Sequence, residues 1–230
     1  MTRVLVPIAV LDGESVPHGL ISLLRGVDVT LLGYHVLPDQ TPPDQARLQF
    51  EERATAALED VVREFSAAGG AADHRLVFTH DREQTVRRVT DEVDADAFVV
   101  PGTTGDVDRI LVSLSGGVDV DRILSFVESL VGERPTGVTL FLAAGERPPA
   151  GDADATDADA AGEPDAVAVA GDAPSDAARL AAAADRLRGA GIEVETTLAA
   201  AGSPFDALVD AASGHDAVVM GERAPSLRSF

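Results

Sequence analysis

Two kinds of hydrophobic pattern alternate along the chain. Short continuous runs of apolar residues are typical of strands buried on both faces of a parallel sheet, and apolar residues that recur every three or four positions are typical of helices with one buried face. In the first half, the runs predict strands at 3–9, 28–36, 74–79 and 97–101, and the recurring positions predict helices at 14–25, 42–68 and 81–94. Strands that alternate with helices indicate an α/β fold.

The second half repeats this order. Its pattern predicts strands at 109–114, 137–143, 192–198 and 216–220, and helices at 119–132, 176–189 and 204–213. The first predicted strand of each half begins with an arginine followed by apolar residues, and residues 99–102 parallel residues 218–221. We therefore expect two diverged copies in tandem, at 1–105 and 107–230, each a small doubly wound parallel-sheet sandwich.

The charged residues narrow the classes of function. The chain has 230 residues and a formal net charge of −21, from 39 acidic and 18 basic side chains. A charge of this sign argues against binding to nucleic acid through the phosphate backbone. Every basic residue is arginine and the chain has no cysteine, which excludes Schiff-base lysines, the phosphate-binding lysine of Walker loops, thiol nucleophiles and cysteine-ligated zinc.

The acidic residues are spread along the whole chain. Segment 145–172 is low in complexity, carries a net charge of −7 and is expected to form a mobile acidic loop. It leaves −14 of the total charge of −21 on the rest of the chain. Hydrated carboxylates whose mutual repulsion is screened by salt are typical of a protein from a halophile.

The sequence has no signal-peptide pattern at its start and no uninterrupted apolar run of membrane-spanning length. We therefore expect a cytoplasmic protein that is not embedded in a membrane.

Candidate catalytic and metal-binding residues are few. The five histidines are scattered without metal-ligand spacing, so no metal site is expected. Ser113 and Ser115 end a predicted strand, where a nucleophile could stand, but no base can be placed beside them, and we expect no enzyme. Gly116-Gly117 and Asp12-Gly13 follow predicted strands; they either cradle a phosphate at the next helix or serve as ordinary turn residues.

Two segments of the second half carry a family resemblance. Gly202-Ser203-Pro204 opens a predicted helix, and residues 216–224 are Asp-Ala-Val-Val-Met-Gly-Glu-Arg-Ala. Together with the first strands at 3–7 and 109–112, they resemble the universal stress protein family, and the chain is identified as a tandem member from a halophilic archaeon. The resemblance implies an adenine-nucleotide alpha-hydrolase-like fold and a protein that is regulatory rather than enzymatic.

The resemblance also implies where a nucleotide would lie. ATP-binding members carry an Asp at the end of the first strand and, after the fourth, Gly-x-x-Gly, a nine-residue spacer and Gly-Ser or Gly-Thr. The Asp position falls at Ala9 in the first half and at Ser115 in the second. In the second half Gly221 is present, but Ala224 replaces the second glycine. The sequence ends at Phe230, before the final Gly-Ser or Gly-Thr, the last helix and the fifth strand, so we expect a truncated second domain.

The first half has a degenerate copy of the motif. Gly102 and Gly105 match its first two glycines. At the end of the motif, where Gly-Ser or Gly-Thr is expected, the chain has Ser115-Gly116, which is the reverse order. The spacer also contains the predicted strand 109–114, and a strand cannot serve as a phosphate-binding loop. We expect no ATP binding in this half.

These departures favour a non-enzymatic stress-response protein that regulates by interaction and has degraded ATP-binding motifs. One alternative is a sensor of ATP or AMP that uses the second domain. Another is a soluble regulatory module that docks on a membrane transporter. The sensor's candidate residues, on the nucleoside and phosphate sides of the ligand, are Ser115, Gly116, Gly221, Arg223, Ala224 and Ser226.

The predicted partner is a second copy of the same fold. If both halves end at a fourth strand, their sheet edges expose unpaired backbone groups. We therefore expect either a homodimer or a pseudo-dimer between the two halves.

Overall fold

The computed structural model describes residues 2–102, 105–143, 175–199 and 203–221. The elements of the first half are β1 (Arg3–Ala9), α1 (His18–Leu24), β2 (Asp28–Val36), α2 (Pro43–Ala67), β3 (Ala72–Thr79), α3 (Arg82–Glu92) and β4 (Ala97–Phe98). Those of the second half are β5 (Arg109–Ser113), α4 (Val120–Val131), β6 (Gly137–Ala143), α5 (Asp176–Gly189), β7 (Val194–Ala199), α6 (Pro204–Ala212) and β8 (Ala217–Met220). The predicted alternation of strands and helices is confirmed in both halves.

The two halves form separate parallel sheets with the same strand order. The first sheet is β3-β2-β1-β4 and the second is β7-β6-β5-β8. In each sheet the chain moves outward through two strands and then crosses back to the other side of the strand where it began. This is the predicted doubly wound arrangement, and the strand order reverses between β1 and β4 and between β5 and β8. The domain limits at 105 and 107 stay a prediction, and segment 145–172 lies outside the described residues.

Strand β1 is buried on both faces, which explains its continuous apolar run. Val4, Val6 and Ile8 belong to a cluster that also contains most of the buried residues of α1 and α2. Leu5 faces the opposite side and packs against Val86 of α3. Each fully buried aliphatic side chain stabilises the fold by about 1.5–3 kcal/mol, so covering both faces of the sheet holds the central strands in place.

Two elements have one end at least three residues inside the predicted bounds. Helix α1 begins at His18 rather than at residue 14, because Pro17 occupies the N-cap and restricts the backbone before it. Strand β4 ends at Phe98 rather than at residue 101, which is a proline and has no N–H to donate to a strand partner.

The two halves contact each other through α1 and α4. Buried apolar residues of both sheets and of these helices form one continuous cluster. The guanidinium of Arg134 lies at this contact, where Nη1 donates to the carbonyl oxygens of Leu23 in α1 and Leu130 in α4. Burial, followed by the nearby charge of Arg25, lowers the pKa of Arg134. One arginine thus binds free carbonyls near the ends of two helices from different halves.

Gly19 lets the connection between the halves pass close to α1. A Cβ atom on Gly19 would lie 1.7 Å from the carbonyl oxygen of Gly105, a distance that no two heavy atoms tolerate. The backbone of the connection therefore occupies the place of a side chain on this helix.

Candidate functional site

The second half has a cavity at the point where its strand order reverses. It encloses about 210 Å³ between the carboxyl ends of β5 and β8 and the first turn of α6. Ligands of open α/β sheets bind in this crevice. The residues that line the cavity are Ser113, Ser115, Pro204, Phe205, Leu208, Met220 and Gly221.

The structure brings together two of the six residues predicted for the second domain. Ser115 and Gly221 both line the cavity, whereas Gly116 follows Ser115 but does not line it. Gly116 has φ of 82°, a backbone conformation that favours glycine, so its turn role is met whether or not a ligand binds. The other three predicted residues, Arg223, Ala224 and Ser226, lie outside the described residues.

Ser115 already has a structural partner. Its Oγ accepts a hydrogen bond from the backbone N–H of Ala143 at 2.9 Å, which ties the end of β5 to the end of β6. The hydroxyl hydrogen remains available to an acceptor in the cavity. Ser115 thus offers a ligand one neutral hydrogen bond, weaker than the bond that a carboxylate makes to a ribose hydroxyl.

Gly221 is required by packing as well as by its place in the motif. A Cβ atom there would lie 2.7 Å from Cδ1 of Ile123 and 3.0 Å from Cβ of Val118. A side chain at this position would force both neighbours to shift. The glycine is therefore explained without a phosphate group.

The end of β1 in the first half is occupied by a carboxylate. The backbone N–H of Ala9 donates to Oε2 of Glu14 at 2.6 Å. The hydrophobic pattern did not predict this contact, because it placed Glu14 in a helix. Gly102 and Gly105 lie in the connection that leads to β5, which begins at Arg109 as predicted. The nine-residue spacer of the degenerate motif therefore contains a strand.

A second cavity in the first half was not predicted. It encloses about 280 Å³ between the carboxyl ends of β1 and β4 and the side of α3. Matching strand positions relate the two cavities, since β1 and α3 take the places of β5 and α6. Its lining residues are Pro7, Arg82, Glu83, Val86, Arg87, Phe98 and Val100. A comparison of the two helix sequences would have pointed to this cavity, because α3 has charged residues at positions where α6 has apolar ones.

Arg82 lies over the ring of Tyr34 at the end of β2. Its guanidinium carbon is 5.4 Å from the ring centroid, a distance at which a cation is attracted to an aromatic face. Burial raises the pKa of the Tyr34 phenol, and the charge of Arg82 opposes that rise. The aromatic ring therefore helps to orient one of the two arginines that line the first-half cavity.

The described residues show no cluster of histidine and acidic side chains that could hold a metal ion. Among the same residues, no helix has both the length and the apolar character needed to cross a bilayer.

Comparison with solved structures identifies the fold. The chain resembles a universal stress protein from Archaeoglobus fulgidus DSM 4304 with a TM-score of 0.59 and 14% sequence identity, over 96% of this chain and 85% of that chain. A universal stress protein from Archaeoglobus fulgidus in complex with dAMP gives a TM-score of 0.30 and 16% identity, over 61% of this chain and 97% of that chain, which is too weak for an inference. No family model matches the chain, and no curated protein matches it. The chain thus shares its fold with the first of these universal stress proteins.

Proposed function

We propose that this chain is a non-enzymatic stress-response protein of a halophile, which regulates by interaction and has lost ATP binding in its first half. The observation that carries the proposal is the hydrogen bond from the Ala9 amide to the Glu14 carboxylate. ATP-binding members of the family present an acceptor for ribose at this strand end. Here the side chain at that position is the methyl group of Ala9, and the Glu14 carboxylate beside it already accepts a hydrogen bond from the Ala9 amide.

The second half supports the same proposal for a different reason. Among the described residues that line its cavity none is charged, and at about 210 Å³ the cavity is smaller than the roughly 300–1,000 Å³ of ordinary ligand pockets. The hydroxyl of Ser115 is shared with the end of β6. Among the described residues, this site offers a nucleotide few polar contacts and no ionic one.

An exposed apolar surface supports a role in interaction. Helix α6 has no buried residue, and the side chains of Phe205, Val209 and Met220 are 70%, 52% and 63% exposed. Exposed apolar surface of this kind is typical of protein contact sites. Docking on a membrane transporter stays a prediction.

A second candidate function is a sensor of AMP or ATP. The specific observation that favours it is that Ser115 and Gly221, predicted from the sequence to contact the nucleotide, line one cavity at the strand-order reversal. In this function Arg223 and Ser226 would contact phosphates.

Thermal unfolding with and without nucleotides distinguishes the two functions. A ligand at 100 times its dissociation constant stabilises the folded state by about 2.7 kcal/mol, which gives a clear rise in melting temperature. We expect no rise with millimolar ATP or AMP, in high salt or in low salt. A rise would establish the sensor and contradict the loss of nucleotide binding.

Matched variants locate any nucleotide that does bind. Ser115→Ala should abolish a rise caused by binding in the second-half cavity, and Ser66→Ala, whose hydroxyl lies on α2, should preserve it. Glu14→Gln tests the first half, because it removes the negative charge at the end of β1. A nucleotide response gained by Glu14→Gln would show that this carboxylate is what prevents binding.

A further inference from the structure

We infer that the first-half cavity binds a small organic monoanion, a carboxylate attached to a short apolar body. Two arginines, Arg82 and Arg87, line the cavity together with apolar residues that form its floor. Its volume of about 280 Å³ lies just below the usual range for ligand pockets, which suits a molecule smaller than a nucleotide. This cavity matches the second-half cavity in its place in the fold, but its lining residues differ, and the inference concerns a ligand other than a nucleotide.

Arg82 and Arg87 differ from the neighbouring arginines in their ion pairs. Arg75 and Arg88 both pair with Glu92, at 3.2 Å and 2.5 Å. Neither Arg82 nor Arg87 pairs with an acidic residue in the part of the chain that the structure describes. In a chain of net charge −21, these two guanidinium groups form a local positive site. Guanidinium groups bind planar carboxylates through paired hydrogen bonds.

The floor of the cavity requires an apolar body on the ligand. Phe98 is 37% exposed and Val100 is 67% exposed, and both line the cavity together with buried Pro7. A bare inorganic anion would leave this surface in water, whereas an aromatic or aliphatic body would bury it at about 25 cal/mol per Å². The ligand must therefore have its charged group at one end and its apolar body at the other.

Glu83 limits the charge of the ligand. Glu83 lines the same cavity and lies one helical turn before Arg87. A group with several negative charges, such as a triphosphate, would be repelled by Glu83 as well as attracted by the arginines. A single carboxylate can bind the guanidinium groups with the least repulsion. In the second half, Phe205 stands at the position that matches Glu83, and no arginine of the described segments lines the cavity.

Benzoate is a suitable probe, because it joins a carboxylate to an aromatic ring. Acetate has the charge without the ring, and benzyl alcohol has the ring without the charge. Calorimetric titration of the full chain should show benzoate binding at least about tenfold more tightly than either control. The fluorescence of Tyr34 provides a second signal, since the chain has one tyrosine and no tryptophan and Arg82 lies over that ring.

Variants of the lining residues should change benzoate affinity in opposite directions. Arg87→Gln and Arg82→Gln should each weaken binding about tenfold, as expected for the loss of a charged hydrogen bond. Glu83→Gln should strengthen it by about threefold, because a repulsive charge is removed. Arg53→Gln, at an exposed position of α2, is the control and should leave the affinity unchanged. Affinity should also fall as salt rises from about 0.15 M to about 2 M.

Three results would overturn the proposal. The first is no calorimetric or fluorescence response to benzoate. The second is binding that Arg87→Gln leaves unchanged; this variant is decisive even if Arg82→Gln disturbs the fold, since Arg87 is exposed on the helix surface. The third is benzyl alcohol binding as tightly as benzoate, which would show a purely apolar cavity.

Discussion

Among single residues, Tyr34 gives the clearest measure of local electrostatics. Burial raises the pKa of its phenol, and Arg82 is the largest influence that lowers it. Replacing Arg82 with Gln should therefore raise the pKa of Tyr34 further. Ultraviolet absorbance of the one tyrosine, followed against pH, measures this directly. Arg87→Gln is the control, and an unchanged titration in Arg82→Gln would mean that the guanidinium does not lie over the ring.

The same phenol sets how stability depends on alkaline pH. Because the folded-state pKa of Tyr34 is raised, the folded chain holds this proton at pH values where the unfolded chain has lost it. The free energy of unfolding should be unaffected by Tyr34 below about pH 10, fall as pH rises from there, and level off above the folded pKa. The chain has no lysine or cysteine to obscure this range. Urea unfolding of Tyr34→Phe across the same range should lack the fall.

At the ends of β1 and β5, sequence reasoning predicted some contacts and missed others. Ser115 and Gly221 were predicted from motif positions, and they line one cavity because parallel strands end at the same edge of a sheet. The bond from Ala9 to Glu14 was missed, since it depends on a loop conformation that no periodicity encodes. Sequence reasoning also missed that Arg87 of α3 and Phe98 of β4 line one cavity, because the crossover from β3 carries α3 across the sheet to β4.

At the scale of elements, the hydrophobic pattern predicted the order and type of the helices and strands better than the residues at which they begin and end. The strands are continuous apolar runs because helices cover both faces of each sheet, and this pattern is visible in the sequence. Helix α5 has the predicted bounds, with the Ser175 hydroxyl accepting from the N–H of Ala178 at 3.2 Å. Helix α1 begins late because the local effect of Pro17 overrides the apolar spacing that suggested an earlier start.

The packing of α1 against the connection between the halves yields a stability prediction. Gly19→Ala should destabilise the chain by about 3 kcal/mol or more, because the new methyl group would overlap the carbonyl of Gly105. Gly189→Ala is the matched control, since a Cβ there meets nothing within 4 Å and alanine favours the helix by up to about 1 kcal/mol. Denaturant midpoints of the two variants should therefore move in opposite directions. A neutral Gly19→Ala would contradict the close packing of the connection.

For the whole molecule, the contact between the halves leaves two outward faces. Helices α1 and α4 lie at that contact, whereas α3 and α6 lie on the opposite faces of their sheets. Met220 of β8 is 63% exposed on the α6 side.

If the chain forms a homodimer through this face and sheet edge, Met220→Asp should give monomers in light scattering. Leu48→Asp, at a residue 91% exposed on α2, should leave the dimer intact. If both variants remain dimers, the dimer contact lies elsewhere. If the wild-type chain is a monomer, the homodimer prediction is wrong.

The net charge of the whole molecule makes a last prediction, in which two effects of salt compete. Salt weakens the ion pairs that join described residues, but these pairs are mostly exposed and each contributes only about 0–1 kcal/mol. Salt also screens the mutual repulsion within a chain of net charge −21, and this repulsion acts on every pair of nearby carboxylates.

We expect the second effect to be larger, so the free energy of unfolding should rise as potassium chloride is increased from about 0.1 M to about 2 M. Kosmotropic salts such as sulfate also strengthen apolar burial, so potassium chloride is used, and the rise below about 0.5 M, where screening changes most, is the part that tests repulsion. Replacing the exposed carboxylates Glu52, Glu59 and Glu64 on α2 with Gln should reduce the salt dependence. A stability that falls with salt would show that the ion pairs dominate and would contradict the proposed adaptation to high salt.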